Sequence, residues 1–263
     1  MNKTLSYQSK EIFYRCTGSG KPVILIHGFG EDGLIWKAQA EFLKDHFRLI
    51  IPDLPGSGQS PIIDDMSMEG LAEVIHAIIH AEGIESCPVI GHSMGGYITL
   101  ALMEKYWNHV TAFGLFHSTA FADSTEKKAA RKKSIEFIRG HGAKAFIETS
   151  SPNLFSTRSK EQMPERIDQF IKAQHNFSPD ALVLYYEAMM ARPDRTEILR
   201  KCTVPVLFIF GKMDTAIPIA DGLKQCHLPE KSYIHILPEA GHMGMMEEET
   251  KTCRILEEFL LGI

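Results

Sequence analysis

The sequence contains no apolar stretch of the roughly 20 residues that a membrane-spanning helix requires. Residues 1–8 also lack an apolar segment like that of a signal peptide. The 28 Lys and Arg residues are outnumbered by 33 Asp and Glu residues, so the chain has no basic surplus for binding nucleic acid. We therefore expect neither a membrane nor a nucleic acid as a partner.

Cysteine pairs and metal-binding motifs are also missing. The five cysteines are scattered without a CxxC pair. An odd, dispersed set fits reduced thiols in a cytoplasmic enzyme better than a disulfide framework. The sequence has no HExxH motif and no Cys and His cluster with the spacing of a zinc site. It thus predicts a cytoplasmic location, no metal and no cofactor.

Short apolar runs alternate with helical patterns in the first part of the chain. The runs at 23–26, 48–51, 88–90 and 110–116 are typical of strands buried on both faces of a parallel sheet. Residues 68–81, between two of these runs, place apolar side chains at helical spacing. This alternation predicts an α/β fold with a doubly wound, parallel sheet.

The alternation stops between residues 121 and 201, where the sequence is helical and polar, and it resumes at 206–210. We therefore predict three segments: a first core part at 1–120, a helical insertion at 121–201 and a second core part at 202–263. The basic run in the insertion is interpreted as a solvated helix face, since charge runs on helices usually face water.

The pentapeptide GHSMG at 91–95 follows an apolar run and precedes a helical pattern. This is the context of the GxSxG nucleophile motif, in which a sharp strand-to-helix turn exposes the serine hydroxyl. Small residues are needed on either side of such a turn. The pattern predicts Ser93 as a nucleophile. The turn should also leave the backbone N–H of Met94 free at a helix N-terminus.

The peptide HGFG at 27–30 follows the first buried run. In the architecture that carries a GxSxG turn, the loop at this place supplies a second donor to the oxyanion. We therefore expect the backbone N–H groups of Phe29 and Met94 to form the oxyanion hole, because fixed backbone donors stabilise a tetrahedral intermediate without reorganising.

The same loop also fits the GxGxxG fingerprint of dinucleotide-binding proteins, and Asp53 lies 20 residues after Gly33. A dinucleotide-dependent enzyme is therefore an alternative. Two features disfavour it. Glu31 and Asp32 would lie where a pyrophosphate meets a helix N-terminus, and Asp53 leads into a glycine-rich turn of its own.

Asp214 directly follows the apolar run at 206–210, and His242 follows the run at 232–237. Both should lie at the sheet edge that carries Ser93, because ligand sites in open α/β sheets form at the carboxyl ends of strands. We predict His242 as the general base and Asp214 as the acid that orients it. Asp194 is the second candidate for the acid.

The chain has 12 histidines, so histidine alone is a weak signal. We interpret five others as surface or core residues: His76, His80, His109, His117 and His235.

These sequence blocks resemble those of the α/β-hydrolase superfamily, in the same order and over nearly the whole chain. They are HGFG at 27–30, DLPGSGQS at 53–60, GHSMGG at 91–96, GKMD at 211–214 and GH at 241–242. The resemblance implies an α/β-hydrolase fold, with a mostly parallel eight-stranded sheet, helices on both faces and a helical lid inserted after the sixth strand. Within the superfamily the chain is most similar to small carboxylesterases and 3-oxoadipate enol-lactone hydrolases.

The sequence thus predicts a serine hydrolase that cleaves carboxylic esters or lactones through an acyl-enzyme intermediate. A helical roof over the site favours small to medium acyl groups. Carbon–carbon bond hydrolysis, thioester hydrolysis and perhydrolysis are open alternatives, as is a hydrolase-like ligand receptor. The acyl group, the leaving group and the oligomeric state stay open.

Overall fold

The computed structural model describes residues 1–263 and contains one sheet of eight strands. The strands are β1 (Asn2–Tyr7), β2 (Lys10–Thr17), β3 (Lys21–Ile26), β4 (Phe47–Pro52), β5 (Cys87–His92), β6 (Val110–Phe116), β7 (Val206–Gly211) and β8 (Ser232–Leu237). Their spatial order is β1-β2-β4-β3-β5-β6-β7-β8. Every pair of neighbours from β4 through β3, β5, β6 and β7 to β8 is parallel. In contrast, β2 pairs antiparallel with both β1 and β4.

The parallel strands form the centre of the core. The apolar side chains of Val23–Ile26 in β3 are fully buried, and every residue of β7 is buried. Continuous apolar runs of this kind suit strands that are covered on both faces. Pairing of β3 with β4 and β5 brings the loops that follow these strands to one edge of the sheet.

Four helices pack in pairs beside the sheet. They are α1 (Lys37–Leu43), α2 (Met68–Ala81), α3 (Met94–Tyr106) and, at the end of the chain, α11 (Glu249–Leu261). The hydroxyl of Ser67 caps α2 by accepting the N–H of Gly70 at 3.0 Å. Helix α2 buries its apolar residues while packing on α3, and α1 packs on α11.

Five helices lie between β6 and β7, where the chain forms no strand. They are α4 (Thr125–Ser150), α5 (Thr157–Gln162), α6 (Pro164–Ala173), α7 (Pro179–Ala191) and α8 (Thr196–Lys201). The left-handed backbone of Gly142, with φ 84°, kinks α4. Helix α4 packs along α7, so these helices form a layer of their own.

Two short helices complete the fold, α9 (Ile219–Leu223) after β7 and α10 (Gly244–Glu247) after β8. No helix combines the length and apolar character needed to cross a membrane. All five cysteines are buried and unbridged. The predicted α/β fold with an eight-stranded, mostly parallel sheet is confirmed. The antiparallel β1–β2 hairpin is an addition that the apolar runs did not indicate.

Candidate active site

Ser93 lies in the sharp turn between β5 and α3. Its backbone has φ 49° and ψ −114°, in the left-handed half of conformational space that non-glycine residues rarely occupy. The neighbouring chain is crowded: a Cβ added to Gly91 would lie 2.3 Å from the carbonyl carbon of Gly95. The turn therefore needs glycine at these positions. The hydroxyl of Ser118 donates to the carbonyl of Ser93 at 2.7 Å and ties the turn to the residues after β6.

The structure brings Ser93, His242 and Asp214 together at the carboxyl ends of the parallel strands. His242 Nε2 lies 2.9 Å from Ser93 Oγ, and His242 Nδ1 lies 2.7 Å from Asp214 Oδ2. His242 and Asp214 are buried. This chain of contacts can remove a proton from the hydroxyl, pass it to the imidazole and stabilise the resulting imidazolium.

The Asp214 carboxylate is held by four donors. Its Oδ1 accepts the backbone N–H groups of Ala216 and Ile217 at 2.8 and 2.9 Å, and its Oδ2 faces His242 and His117. Burial acts to raise the pKa of Asp214, but the charge of His242 and the side-chain hydrogen bonds outweigh it and hold the pKa far below the usual range. The group is therefore a carboxylate at neutral pH.

His242 experiences two opposing effects. Burial acts to lower its pKa, whereas the charge and hydrogen bond of Asp214 act to raise it. The carboxylate prevails, so the pKa of His242 lies above the ordinary histidine value of 6.5. A carbonyl in the connection between α4 and α5 fixes the backbone beside the ring, since the N–H of His242 donates to Leu154 O at 2.7 Å.

His117 also reaches this site, although we interpreted it from the sequence as a surface or core residue. It is fully buried, and its Nδ1 lies 3.1 Å from Asp214 Oδ2. Burial lowers the pKa of His117 to about 4, so the ring is neutral at neutral pH. A usable sequence signal was its place directly after β6, which matches the placement of Asp214 after β7.

His117, Asp214 and His242 each present a potential metal ligand, and the three atoms lie within 4.8 Å of one another. The shortest separation, 2.7 Å between His242 and Asp214, is that of a charge-assisted N–H···O bond. Zinc ligands at about 2.0 to 2.2 Å from an ion lie farther apart in tetrahedral geometry. We therefore interpret the cluster as a hydrogen-bond network.

The loop after β3 approaches Ser93 closely. A Cβ on Gly28 would lie 2.9 Å from His92 Nδ1 and 3.1 Å from Ser93 Cβ, so only glycine fits here without a shift. The next residue, Phe29, has a backbone N–H with no acceptor in the protein. Met94 supplies the first N–H of α3, which has no intrahelical partner. Both predicted oxyanion donors are therefore free.

The ring of Phe29 joins an aromatic cluster from the helical layer. It stacks on Tyr186 at a centroid distance of 4.2 Å and meets Phe146 and Tyr185 edge-on at 6.2 and 6.3 Å. Tyr185 also donates its hydroxyl to Pro55 O at 2.5 Å. These contacts join the helical layer to two loops of the sheet edge.

Glu31 and His92 form a second buried pair of a carboxylate and an imidazole. His92 Nδ1 lies 3.0 Å from Glu31 Oε2, and His92 Nε2 lies 3.0 Å from the carbonyl oxygen of His242. The same Glu31 oxygen accepts the N–H of Gly28 at 2.9 Å. The pair thus ties together the Phe29 loop, the Ser93 turn and the His242 loop.

Asp53 has no free oxygen for a ribose, so the dinucleotide alternative does not hold. Its Oδ1 lies 2.5 Å from Arg15 Nη1 and accepts the N–H of Gly33 at 2.9 Å, while Oδ2 accepts the N–H of Gln59 at 3.0 Å. The residue is completely buried. Asp53 therefore organises the glycine-rich turn that follows it.

Asp194, the second candidate for the acid, lies away from Ser93. It is exposed in the turn before α8, where its carboxylate accepts the backbone N–H and the hydroxyl of Thr196 at 3.0 and 2.5 Å. A bond from the side chain to the backbone N–H two residues on is that of an Asx-turn. Asp194 is thus not in contact with His242.

Comparison with known proteins gives consistent results. Residues 21–132 match the family model described as the alpha/beta hydrolase fold. The pimeloyl-[acyl-carrier protein] methyl ester esterase of Vibrio cholerae is 25% identical over 94% of this chain and 97% of its own length. The monoacylglycerol lipase ABHD6 of Bos taurus is 23% identical over 98% of this chain and 80% of its own length.

Two solved structures are also similar. A malate-bound thermophilic esterase from Thermogutta terrifontis superposes with a TM-score of 0.93 and 29% identity, covering 100% of this chain and 98% of its own. The enol-lactonase from Burkholderia xenovorans LB400 shares the fold, with a TM-score of 0.90 and 22% identity over 98% of this chain and 99% of its own. The chain is therefore a hydrolase of the α/β-hydrolase fold whose relatives include esterases.

Proposed function

We propose that the protein hydrolyses carboxylic esters or lactones of small to medium acyl size through an acyl-enzyme on Ser93. The observation that carries this proposal is the continuous chain from Ser93 Oγ through both nitrogens of His242 to Asp214, with steps of 2.9 and 2.7 Å. A serine hydroxyl is a weak nucleophile until an adjacent base takes its proton, and this arrangement supplies that base.

In the first step, Ser93 Oγ attacks the carbonyl carbon of the substrate while its proton moves to His242 Nε2. The new C–O bond turns the carbonyl oxygen into an oxyanion, which the N–H groups of Phe29 and Met94 stabilise. Asp214 holds His242 Nδ1–H and offsets the positive charge of the ring. The oxyanion then collapses, the bond to the leaving oxygen breaks, and His242 returns the proton to that oxygen.

In the second step, water attacks the acyl-enzyme and transfers a proton to His242. The tetrahedral intermediate collapses, the acid is released and Ser93 recovers its proton from the ring. For a lactone, the acyl and leaving groups remain in one molecule, which is released as a hydroxy or keto acid. The reaction requires no cofactor.

The helical layer supports the size range of the acyl group. The aromatic cluster of Phe29, Phe146, Tyr185 and Tyr186 places apolar surface from the helical layer beside the proposed oxyanion loop. We infer that residues 121–201 act as a lid and that this cluster walls the acyl site. The relatives bear on the type of bond, because by their names one acts on a methyl ester and another on an enol-lactone.

The test is a series of p-nitrophenyl esters with acyl chains from about C2 to about C16, measured as kcat/KM, since a walled site limits what reaches reactive geometry. Simple lactones and an acyl thioester complete the panel, with Ser93→Ala as the control. We expect a maximum between about C2 and C8. A maximum near C16 with activation at a lipid interface contradicts the size range, and binding without turnover across the panel contradicts the enzyme itself.

A further inference from the structure

The surroundings of His117 are shaped around its ring. Its backbone φ is 49°, in the left-handed region that non-glycine residues seldom occupy, Asn, Asp and His doing so most often. A Cβ on Gly244 would lie 2.4 Å from His117 Nε2, and a Cβ on Gly211 would lie 2.9 Å from its Cε1. Two glycines distant in sequence thus make room for an imidazole against Asp214.

The contacts of the ring decide which nitrogen carries the proton. The N–H of Gly244 points at His117 Nε2 from 3.3 Å, which makes Nε2 an acceptor. Nδ1 then carries the hydrogen and donates it to Asp214 Oδ2 at 3.1 Å. The opposite tautomer is favoured only by the N–H of Gly211, 3.1 Å from Nδ1, and would set a lone pair against a carboxylate. The carboxylate is the stronger partner, since charge-assisted bonds exceed neutral ones.

His117 and His242 therefore donate to the same oxygen, Oδ2 of Asp214. A carboxylate oxygen that already accepts one hydrogen bond has less negative charge to offer a second donor. The first bond also restricts rotation of the carboxylate about its side-chain torsion, together with the two backbone donors on Oδ1.

We propose that His117 is a positioning residue that fixes the Asp214 carboxylate and limits how strongly this carboxylate makes His242 basic. This inference rests on the proposed function, because it concerns the base of that reaction. His117 touches neither substrate nor the reacting hydroxyl and acts only through Asp214.

The titratable groups around the His242 ring set the background for any pH effect. They are Asp214 in direct contact, His117 and His92 with ring centroids 5.6 and 5.0 Å away, and the carboxylates of Glu31 and Glu247, whose charges raise the pKa of His242. Because His117 is neutral well above its own pKa of about 4, it influences His242 by hydrogen bonding and not by a positive charge. Loss of its N–H should therefore strengthen the Asp214–His242 bond and raise the pKa of His242.

A matched pair of variants separates the donor from the bulk of the ring. In His117→Asn the amide nitrogen can occupy the place of Nδ1, and Asn tolerates the left-handed backbone. His117→Leu keeps apolar volume and removes the donor. In the Leu variant we expect the midpoint on the acid side of the plot of kcat/KM against pH to rise by about half to one pH unit. Its kcat should fall roughly tenfold. The Asn variant should keep the wild-type midpoint, and its kcat should stay within about threefold of the wild-type value.

Two readouts independent of turnover keep the inference separate from the proposed function. Nitrogen-15 NMR of the wild-type histidines should show His117 neutral, with hydrogen on Nδ1 only, between about pH 6 and pH 9. The same spectra should show His242 titrating at higher pH in His117→Leu than in His117→Asn. Hydrogen on His117 Nε2, or identical His242 titration in both variants, overturns the inference. Full turnover by Ser93→Ala overturns the proposed function instead.

Discussion

Two buried pairs of histidine and carboxylate lie side by side in this protein, and they differ in what the second ring nitrogen faces. His242 bonds to Asp214 through Nδ1 and faces the hydroxyl of Ser93 through Nε2. His92 bonds to Glu31 through Nδ1 but faces the carbonyl oxygen of His242 through Nε2. A hydroxyl can give or accept a proton, whereas a carbonyl only accepts a hydrogen bond.

The difference determines what each pair can do. Both neighbours of the His92 ring are hydrogen-bond acceptors, a carboxylate and a backbone carbonyl, and neither is a hydroxyl that the ring could activate. Burial acts to raise the pKa of Glu31, but the charge and hydrogen bond of His92 and the N–H of Gly28 lower it below its ordinary value. The Glu31–His92 pair is thus a fixed tie between loops, while His242 is free to exchange a proton. We propose that the same two residue types serve as a base in one case and a support in the other.

Removing the Ser93 hydroxyl, which the first pair faces, should have the largest effect on turnover. Ser93→Ala leaves His242 and Asp214 in place with no nucleophile to activate, so we expect kcat to fall by roughly four to six orders of magnitude. Circular dichroism should show an unchanged fold. Activity within tenfold of the wild type would mean that another group attacks the substrate.

Changing the two carboxylates to amides compares the pairs directly. Asp214→Asn should lower kcat by about 10⁴-fold, because an amide neither holds the required tautomer nor stabilises the imidazolium. Glu31→Gln should lower kcat by only about ten- to a hundredfold, since it weakens the alignment of loops without removing a group from the reaction. Equal losses, or a larger loss in Glu31→Gln, would contradict the assignment of the roles.

The pH dependence sharpens the same comparison. Only neutral His242 can accept the serine proton, and its pKa is raised above 6.5 by Asp214. Activity should therefore be low at acidic pH and rise through a midpoint above 6.5 in a plot of kcat/KM for the free enzyme. A midpoint below 6.5 would mean that burial outweighs the carboxylate.

The sequence was sufficient for the parts of the site that sit in local motifs. Ser93 directly follows β5, while Asp214 and His242 lie in the loops after β7 and β8, so their common edge could be predicted from alternation and motif order. The β1–β2 hairpin was missed because β1 alternates exposed and half-buried residues and has no buried run.

The roles of His117 and Glu31 could not be predicted in this way. His117 contacts Asp214 across 97 positions of sequence, and Glu31 contacts His92 across 61. Both are single polar residues whose partners are brought near only by the packing of several loops. The sequence suggested that Glu31 opposes a bound phosphate, whereas its negative charge in fact serves the imidazole of His92.

A side-chain change in the proposed oxyanion loop should have the smallest effect on turnover. Phe29→Ala keeps the backbone N–H, so kcat should stay within about tenfold of the wild type. Loss of the stack on Tyr186 removes apolar contact, and KM should rise for the longer acyl esters. A collapse of kcat with unchanged KM would show that the ring itself positions the N–H group.

Labelling with a fluorophosphonate, followed by peptide mapping, tests the central claim most directly. The reagent forms a stable bond only with a serine hydroxyl that an adjacent base activates. The claim that His242 activates Ser93 predicts a single label on Ser93 in the wild type and almost none in a His242→Ala variant, with Glu31→Gln labelled more slowly. A label on another residue, or an unlabelled Ser93 in an enzyme that fully hydrolyses esters, would contradict it.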